Sequence, residues 1–406
     1  MPAGLQWHQL DREGQGRVRG QGGLSDSPCW RFSLAREGGV RWTAAGLPNP
    51  ILSLFLAAVA TSEVFRERFH EDTVFQPTSG LDGNLLVGES DEPGISGDLD
   101  FGGQTIAWVG CGSVSSAALY ALDFVRNVRG KFHMVDPSKL NRSNCAKYLG
   151  IPEGSVGKSK ADVLCRVIRR RGLRADPYSM SLNEYCRRVT WTIPLAICAA
   201  DSSVVRRDLQ AKLPRTILNG WTRGGQESLV AGVSRHPFDG VAECLNCAYW
   251  EDVEGRINLA EVAGRIGTDS RSLFRRLREG APFPHHGTSG PARDTRFLDE
   301  YFNACDGARI GRGSIRREFS IPFISAAAGA LLALAIYMEG KSPTGAGFLR
   351  SMRVQYSMAP GFSAIVREPS RARESCICRD PVYSAVYRKR WTPGPGAPGL
   401  PPSTTS

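Results

Sequence analysis

The sequence lacks several features that mark secreted, membrane and nucleic-acid-binding proteins. It does not open with a charged stretch followed by an apolar one, so we expect no secretory signal and a cytoplasmic location. Its two apolar stretches, residues 51–60 and 321–338, fall short of the roughly 20 strongly apolar residues of a bilayer span. We therefore predict an amphipathic helix over residues 48–69, a buried helix over residues 321–338, and no membrane partner. Since there is no long lysine run and no basic strip interleaved with aromatics, nucleic acid is not an expected partner.

What is present is typical of a globular protein. The 406 residues suffice for one large domain with additions, or for two domains. Hydrophobic residues make up 41% of the chain and charged residues 22%, which argues against global disorder. The net charge of +11 favours an acidic partner, which includes nucleotides and anionic proteins.

The 11 cysteines are an odd number, and most of them lack the spacing of disulfide pairs. In a reducing compartment, paired cysteines more often hold a metal or do chemistry. Cys244 and Cys247 form a Cys-x-x-Cys pair, and Cys376 and Cys378 form a second pair far downstream. Four thiolates can close a tetrahedral structural zinc site, whereas the alternative is a set of free buried thiols.

Strand and helix patterns alternate from about residue 104 onward. Short apolar runs predict strands at 106–109, 132–135, 193–199, 216–218 and 228–233, and helical spacing follows Gly112 and covers 158–171. This alternation predicts an α/β fold: a Rossmann-like, mostly parallel sheet with helices on both faces.

The flanking segments suggest four parts. Residues 1–27 are expected to form a flexible arm, and residues 28–100 a small accessory region with a hairpin, a helix and a linker. Residues 101–391 form the main domain, and the Pro/Gly/Ser-rich residues 392–406 are expected to be a disordered tail.

A glycine-rich turn, Gly110-x-Gly112-x-x-Ser115, separates the first strand of this domain from a helix. Glycines let a phosphate approach the backbone, and the helix N-terminus supplies free N–H groups. Asp136 ends the next strand, where an acid can accept hydrogen bonds from ribose hydroxyls. These residues alone fit a nicotinamide-dependent dehydrogenase and an ATP-dependent enzyme equally well.

The residues after Asp136 favour a triphosphate, because it needs several cations. Lys147 and Lys160 can neutralise phosphate oxygens, and Asn144 offers a neutral donor. Asp201 follows a later strand, at the edge where ligands bind in open α/β sheets. A carboxylate near phosphates commonly holds Mg²⁺.

Taken in order, these residues resemble the ThiF/MoeB adenylyltransferases, whose eukaryotic relatives activate ubiquitin. The resemblance covers residues 104–250 clearly and 318–380 more loosely. The matching positions are Gly110, Gly112, Asp136, Ser143-Asn144, Val156-Gly157-x-x-Lys160 and Ala200-Asp201. Lys147 stands where the family has an arginine, which keeps the charge and loses the bidentate fork.

The resemblance implies a ThiF-like adenylation domain that uses ATP and Mg²⁺, with a zinc knuckle formed by the four paired cysteines. The substrate would be the C-terminus of a ubiquitin-like or sulfur-carrier protein, and the adenylate would pass to a thiol or a sulfur-donor protein. Cys305 lies in the interval where the family places a reactive cysteine, when it has one. The resemblance also implies a homodimer. Arg66 and Arg68 are candidates for the arginine that the family brings from an N-terminal helix, and the alternative for both is a solvated helix face.

Three other interpretations stay open. The first is an NAD(P)- or flavin-dependent oxidoreductase, and the second is a non-catalytic Rossmann-like scaffold. The third keeps adenylation and changes the acceptor to a peptide or tRNA carboxylate.

Overall fold

The structure is a computed structural model of the 406-residue chain. It describes residues 50–69, 80–82, 99–125, 128–170, 173–189, 193–223, 229–249, 307–310, 317–341, 352–359 and 362–391, with short strands at 9–10, 16–17, 30–35 and 39–44. The strands are β1 (Gln9–Leu10), β2 (Gly16–Arg17), β3 (Trp30–Ala35), β4 (Gly39–Ala44), β5 (Gly80–Asp82), β6 (Leu99–Val109), β7 (Val128–Val135), β8 (Arg174–Tyr178), β9 (Leu195–Cys198), β10 (Thr216–Arg223), β11 (Leu229–Pro237), β12 (Gly307–Ile310), β13 (Arg317–Ser320), β14 (Met352–Ala359) and β15 (Phe362–Pro369). The helices are α1 (Pro50–Phe69), α2 (Ser113–Leu122), α3 (Lys160–Arg170), α4 (Leu182–Arg188), α5 (Ser203–Ala211), α6 (Leu245–Ala248), α7 (Pro322–Lys341) and α8 (Pro381–Trp391).

Eight strands form one sheet in the order β15-β14-β11-β10-β9-β6-β7-β8. The four neighbouring pairs from β10 to β8 are parallel, and the three pairs from β15 to β10 are antiparallel. The predicted α/β class with a mostly parallel sheet is confirmed, and the antiparallel end is an addition that the sequence patterns did not indicate. The chain runs outward from β6 to β7 and β8, then returns to β9 on the other side of β6. The carboxyl ends of β6 and β9 therefore flank the point where the strand order reverses, which is where open α/β sheets bind ligands.

Helices cover both faces of the sheet. Alternate residues of the central strands enter two separate cores, as strand geometry requires for buried parallel strands. Ile106 and Trp108 of β6 lie in the core under α2, α3 and α7, whereas Ala107 and Val109 lie in the core under α4 and α5.

Helix α7 is apolar on all sides and lies at the centre of the larger core. Its length and composition would suit a bilayer span, yet 83% of its most apolar 18-residue window is buried inside the protein. The buried helix predicted for residues 321–338 is therefore confirmed. Gly329 allows its close approach to α2, since a Cβ there would lie 2.4 Å from the Cβ of Ala117. Near the other end of α7, Arg235 of β11 forms an ion pair with Glu339, with 2.7 Å between Nε and Oε2.

Helix α1 packs against the outer side of α7. The rings of Phe65 and Phe323 lie 5.4 Å apart, and the hydroxyls of Ser62 and Tyr356 are 2.7 Å apart. The residues of α1 thus join the larger core. In the N-terminal region the predicted hairpin is present, because β3 pairs antiparallel with β4, and β5 pairs with β3 on its other edge.

Candidate functional site

The turn after β6 is shaped by Gly110. Its φ of +88° is a left-handed conformation, and a Cβ at this position would lie 2.5 Å from the backbone nitrogen of Ala200. Only glycine fits both conditions. The turn therefore lies directly on the loop that follows β9, and a hydrogen bond from Ala199 N to Val109 O joins the two strand ends.

Gly112 leaves the space above the start of α2 open. It is the N-cap residue of the ten-residue α2, with an ordinary φ of −84°, and a Cβ there would meet no atom within 4 Å. As a glycine, the N-cap residue has no side chain with which to cap the first turn. A helix N-terminus of this kind offers backbone N–H groups and the positive end of a dipole to an anion.

Ser115 locks the turn to the strand that precedes it. Its Oγ donates to Gly110 O at 2.6 Å and accepts from Trp108 Nε1 at 2.8 Å. Both partners lie inside the larger core or at its edge. Ser115 occupies the place of the third glycine of the dinucleotide fingerprint, so its departure from that pattern has a structural reason in this chain.

Asp136 lies at the end of β7 and is nearly buried. Its Oδ2 accepts from Cys111 N, and its Oδ1 accepts from Ser138 N, both at 2.7 Å. The carboxylate thus connects two loops at the carboxyl edge of the sheet. Each oxygen keeps a second lone pair with which it can accept from a ribose hydroxyl.

Tyr148 connects the glycine turn with the loop after β7. Its hydroxyl donates to Cys111 O at 2.8 Å. Burial raises the pKa of Tyr148, and the charges of Asp136 and Asp201 act in the same direction. Burial also raises the pKa of Cys111, while the positive charge of Lys160 acts in the opposite direction. Lys160 and Asp201 therefore lie within electrostatic reach of the same hydrogen-bonded pair, at one end of the sheet.

The loop from Asn141 to Lys160 carries the remaining predicted phosphate ligands. Asn144 shares a reciprocal capping box with Asn141, in which the side-chain oxygen of Asn144 accepts from Asn141 N at 3.0 Å. Lys147 N donates to Asn144 O, so the two residues stay close. Lys160 begins α3, and its N–H donates to Ser138 O at 3.0 Å, next to Asp136.

Asp201 is exposed in the loop between β9 and α5. Ser202, the next residue, caps α5 by accepting from Val205 N. The preceding residue, Ala200, lies against Gly110 together with Ala199. The structure thus brings Gly110, Gly112, Asp136, Lys160 and Asp201 to the same edge of the sheet, at the reversal of strand order. A negatively charged nucleotide with a divalent cation suits this combination of N–H groups, cations and carboxylates.

The four paired cysteines meet in one buried cluster. Their Sγ atoms all lie within 4.8 Å of one another, with separations of 3.8 Å for Cys244–Cys247, 3.5 Å for Cys244–Cys376 and 3.6 Å for Cys247–Cys378. A regular tetrahedral site with Zn–S bonds of about 2.3 Å places its sulfurs about 3.8 Å apart. These separations fit a zinc ion, and they are far longer than a disulfide bond of about 2.05 Å.

The four thiols act on one another's protonation. Hydrogen bonds from the neighbouring thiols, Cys244 first, lower the pKa of Cys247, whereas hydrogen bonds with Cys247 and the other two thiols raise the pKa of Cys244. Arg373 N donates to Cys247 Sγ at 3.3 Å. The short spacing of Cys376 and Cys378 is no obstacle, since a turn between β15 and α8 directs both sulfurs into the cluster.

Some predicted residues lie outside the described part of the chain. Cys305 is one of them. Arg66 and Arg68 belong to α1, but their side chains are not among those described. Their predicted roles stay predictions.

Sequence reasoning missed two positioning residues. Tyr148 lacks any local signal, because its role depends on a contact with Cys111, 37 positions earlier in the chain. Arg206 is buried and donates from Nε to Ala200 O at 2.7 Å, and its guanidinium lies 4.6 Å from the ring centre of Tyr249. Because arginine side chains are mostly exposed, the sequence predicts a solvated side chain for an arginine in α5.

Comparison with known proteins gives limited similarities. No family model matches the chain. The uncharacterized protein y4jF of Sinorhizobium fredii (strain NBRC 101917 / NGR234) is 26% identical over 317 residues, which is 70% of this chain. The chain spans 58% of the length of that relative.

Among solved structures, the E. coli enzyme MccB is similar in fold. The microcin C7 biosynthetic enzyme MccB in complex with N-formylated MccA superposes with a TM-score of 0.44 and 13% identity, over 68% of this chain and 67% of that chain. E. coli MccB with ATP has a TM-score of 0.41 and 13% identity, over 67% of this chain and 65% of that chain. PaaA has a TM-score of 0.38 and 14% identity, over 66% of this chain and 72% of that chain. Similarity of this degree assigns no activity, so the function rests on the residues of this chain.

Proposed function

We propose that this chain binds Mg-ATP at the carboxyl edge of β6, β7 and β9 and activates a carboxylate as an acyl-adenylate. The observation that supports this most is the shared location of an uncapped helix N-terminus, a buried strand-end acid, a cation and an exposed acid. Gly112 and the start of α2 would receive phosphate oxygens, Asp136 would bind the ribose, and Lys160 with Asn144 and Lys147 would neutralise the triphosphate. Asp201 would hold Mg²⁺, which shields phosphate charge when bound.

The reaction is one of charge neutralisation and alignment. A carboxylate oxygen attacks the α-phosphorus of ATP and forms a new P–O bond. The bond from that phosphorus to the oxygen bridging the β-phosphate breaks, and pyrophosphate leaves with the electron pair. No proton transfer is needed, so the chain contributes donors fixed before the substrate arrives.

For the carboxylate we propose the C-terminus of a ubiquitin-like or sulfur-carrier protein, as the family resemblance implies. The net charge of +11 favours an acidic carrier. A short peptide is the alternative carboxylate. We further propose that the enzyme works in the cytoplasm as a homodimer, and that zinc in the four-cysteine cluster ties residues 376–378 to α6.

ATP–pyrophosphate exchange tests the reaction. The wild-type chain is expected to exchange labelled pyrophosphate into ATP in the presence of a carrier protein ending in Gly-Gly or of a peptide carboxylate. Lys160→Ala and Asp201→Ala are each expected to lose this exchange. The matched control for Lys160 is Lys158→Ala: Lys158 lies two positions earlier, and its Nζ donates to Gly154 O. The matched control for Asp201 is Asp208→Ala, an acid on α5 that accepts from Asn183 Nδ2. Exchange that persists in Asp201→Ala would remove the proposed metal role.

Ligand-induced thermal shifts separate this proposal from its competitors. Mg-ATP is expected to raise the unfolding temperature, because it binds only the folded chain. A shift with NAD and none with Mg-ATP would favour an oxidoreductase. No shift with either nucleotide would favour a non-catalytic scaffold.

A further inference from the structure

A chain of buried and partly buried hydrogen bonds leads away from the candidate nucleotide site. It starts at Ala200 O, which accepts from Arg206 Nε at 2.7 Å. The guanidinium of Arg206 contacts the Tyr249 hydroxyl, and this hydroxyl accepts from Asn219 Nδ2 at 3.3 Å. The network therefore holds the backbone of the residue just before Asp201.

The same network ends beside the cysteine cluster. Asn219 Nδ2 lies 3.4 Å from Ser234 Oγ, which is 2.7 Å from His236 Nε2. The other ring nitrogen of His236 lies 2.8 Å from Glu243 O, directly before Cys244. Asn219, Ser234 and His236 are each at most 2% exposed, so water has little access to these bonds.

Helix α6 lies between two points of this network, the Tyr249 hydroxyl and the carbonyl of Glu243. It spans Leu245–Ala248, so it contains Cys247, and Cys244 and Tyr249 are its two cap residues. A four-residue helix has no stability of its own in water. The buried side chain of Leu245 and a hydrogen bond from its N–H to Gln210 Oε1 at 2.9 Å also hold the helix. A metal bound by Cys244 and Cys247 would add a further restraint on the helix and on Tyr249 at its end.

We propose that closing the four-cysteine cluster around zinc tightens nucleotide binding, with Tyr249 and Arg206 as the positioning residues that connect the two sites. The proposal rests on the proposed nucleotide function. When the cluster is closed, α6 is fixed, the Tyr249 hydroxyl fixes the guanidinium of Arg206, and Arg206 holds Ala200 and hence Asp201. When it is open, the Tyr249 hydroxyl is placed less firmly, and its contact with the Arg206 guanidinium is weakened.

Linkage makes the effect measurable from both sides, because a coupling between two sites is reciprocal. We expect zinc-loaded wild-type protein to bind Mg-ATP at least about 5-fold more tightly than zinc-free protein, at the lower end of such couplings. Mg-ATP is expected to lower the Kd for zinc by the same factor. The measurements are calorimetry with Mg-ATP and competition for zinc with a chromophoric chelator, neither of which depends on turnover.

Tyr249→Phe is the decisive variant, since it keeps the ring under Arg206 and removes only the hydroxyl. With zinc bound, it is expected to bind Mg-ATP at least about 5-fold more weakly than wild type while its zinc content stays unchanged. Tyr387→Phe is the matched control: its hydroxyl donates to Arg215 O at 2.7 Å and its ring packs 5.2 Å from Phe238, beside the cysteines but outside the network. It is expected to keep wild-type affinity for both ligands.

The outcomes are distinguishable. Equal affinity for Mg-ATP with and without zinc, or wild-type affinity in Tyr249→Phe, overturns the coupling and leaves the proposed function standing. Wild-type protein that carries no zinc also overturns the coupling. Absence of Mg-ATP binding to zinc-loaded wild type overturns both. If zinc-free protein unfolds, the comparison of zinc-loaded Tyr249→Phe with Tyr387→Phe still decides the question.

Discussion

The two glycines of the turn after β6 are expected to respond in opposite ways to the same substitution. Gly110 has a φ of +88° and would place a Cβ 2.5 Å from Ala200 N. Gly112 has a φ of −84°, and a Cβ there would meet no atom within 4 Å. Gly110→Ala should therefore damage the fold, whereas Gly112→Ala should leave the fold intact and obstruct the ligand.

The structure sets the magnitudes. An alanine in the left-handed region costs about 1–2 kcal/mol, and forcing apart the turn and the Ala199–Ala200 backbone adds about 1–3 kcal/mol. We expect Gly110→Ala to lower the free energy of unfolding by about 2–5 kcal/mol. For Gly112→Ala, a poorer N-cap and a less flexible unfolded chain largely cancel, so the change should stay within about 1 kcal/mol. Losing one charged hydrogen bond to phosphate, worth about 1.5–3 kcal/mol, should weaken Mg-ATP binding by about 10- to 150-fold.

Urea unfolding and calorimetric titration with Mg-ATP measure the two effects on the same preparations. If Gly112→Ala binds Mg-ATP as tightly as wild type, phosphate does not approach over this residue and the site is misassigned. If Gly110→Ala is as stable as wild type, the packing of the turn on the β9 loop is not as described.

Three further predictions follow from individual residues. Ser115→Gly restores the dinucleotide fingerprint, yet it is expected to lower the free energy of unfolding by about 1–3 kcal/mol, because Trp108 Nε1 loses its buried partner. Urea unfolding measures this loss, and a variant as stable as wild type would contradict the structural role of Ser115. Burial lowers the pKa of His133, so its stabilising contribution is complete above about pH 6.5 and is lost as the pH falls through the lower folded-state pKa. His133→Gln should reduce the drop in the urea midpoint between pH 7.5 and 5.5, and an unchanged drop would assign it to other groups. Cys305→Ser is expected to leave ATP–pyrophosphate exchange unchanged and to abolish any thioester with the carrier, detected on non-reducing gels; loss of exchange would place the thiol in adenylation itself.

The central part of the fold was predictable because its signals are local. The apolar runs at 106–109 and 132–135 are long enough to identify buried strands, and both lie within β6 and β7. Gly110 and Gly112 mark the turn between strand and helix for the same reason. The all-round apolar composition of residues 321–338 identified a buried helix, which is α7.

Other parts depend on partners distant in sequence. β8 contains Pro177 and few apolar residues, and it is a strand because it pairs with β7 at the edge of the sheet. β14 pairs antiparallel with β11, and β15 pairs antiparallel with β14, an extension of the sheet that no periodicity reveals. Likewise, Cys244 and Cys376 are 132 positions apart in the chain. The spacing within each cysteine pair suggested a metal site, but only the fold determines that the two pairs lie together.

The central position of α7 has a consequence for biosynthesis. Strands β6, β10 and β11 present apolar side chains to α7, which follows β11 by more than 80 positions and packs against the much earlier α2 and α1. A nascent chain that has emerged only as far as β11 lacks α7, the helix that covers that surface in the folded protein. Stable folding must therefore wait until Lys341 has left the ribosome, and a product truncated before residue 322 should aggregate or be degraded rather than accumulate as a smaller domain.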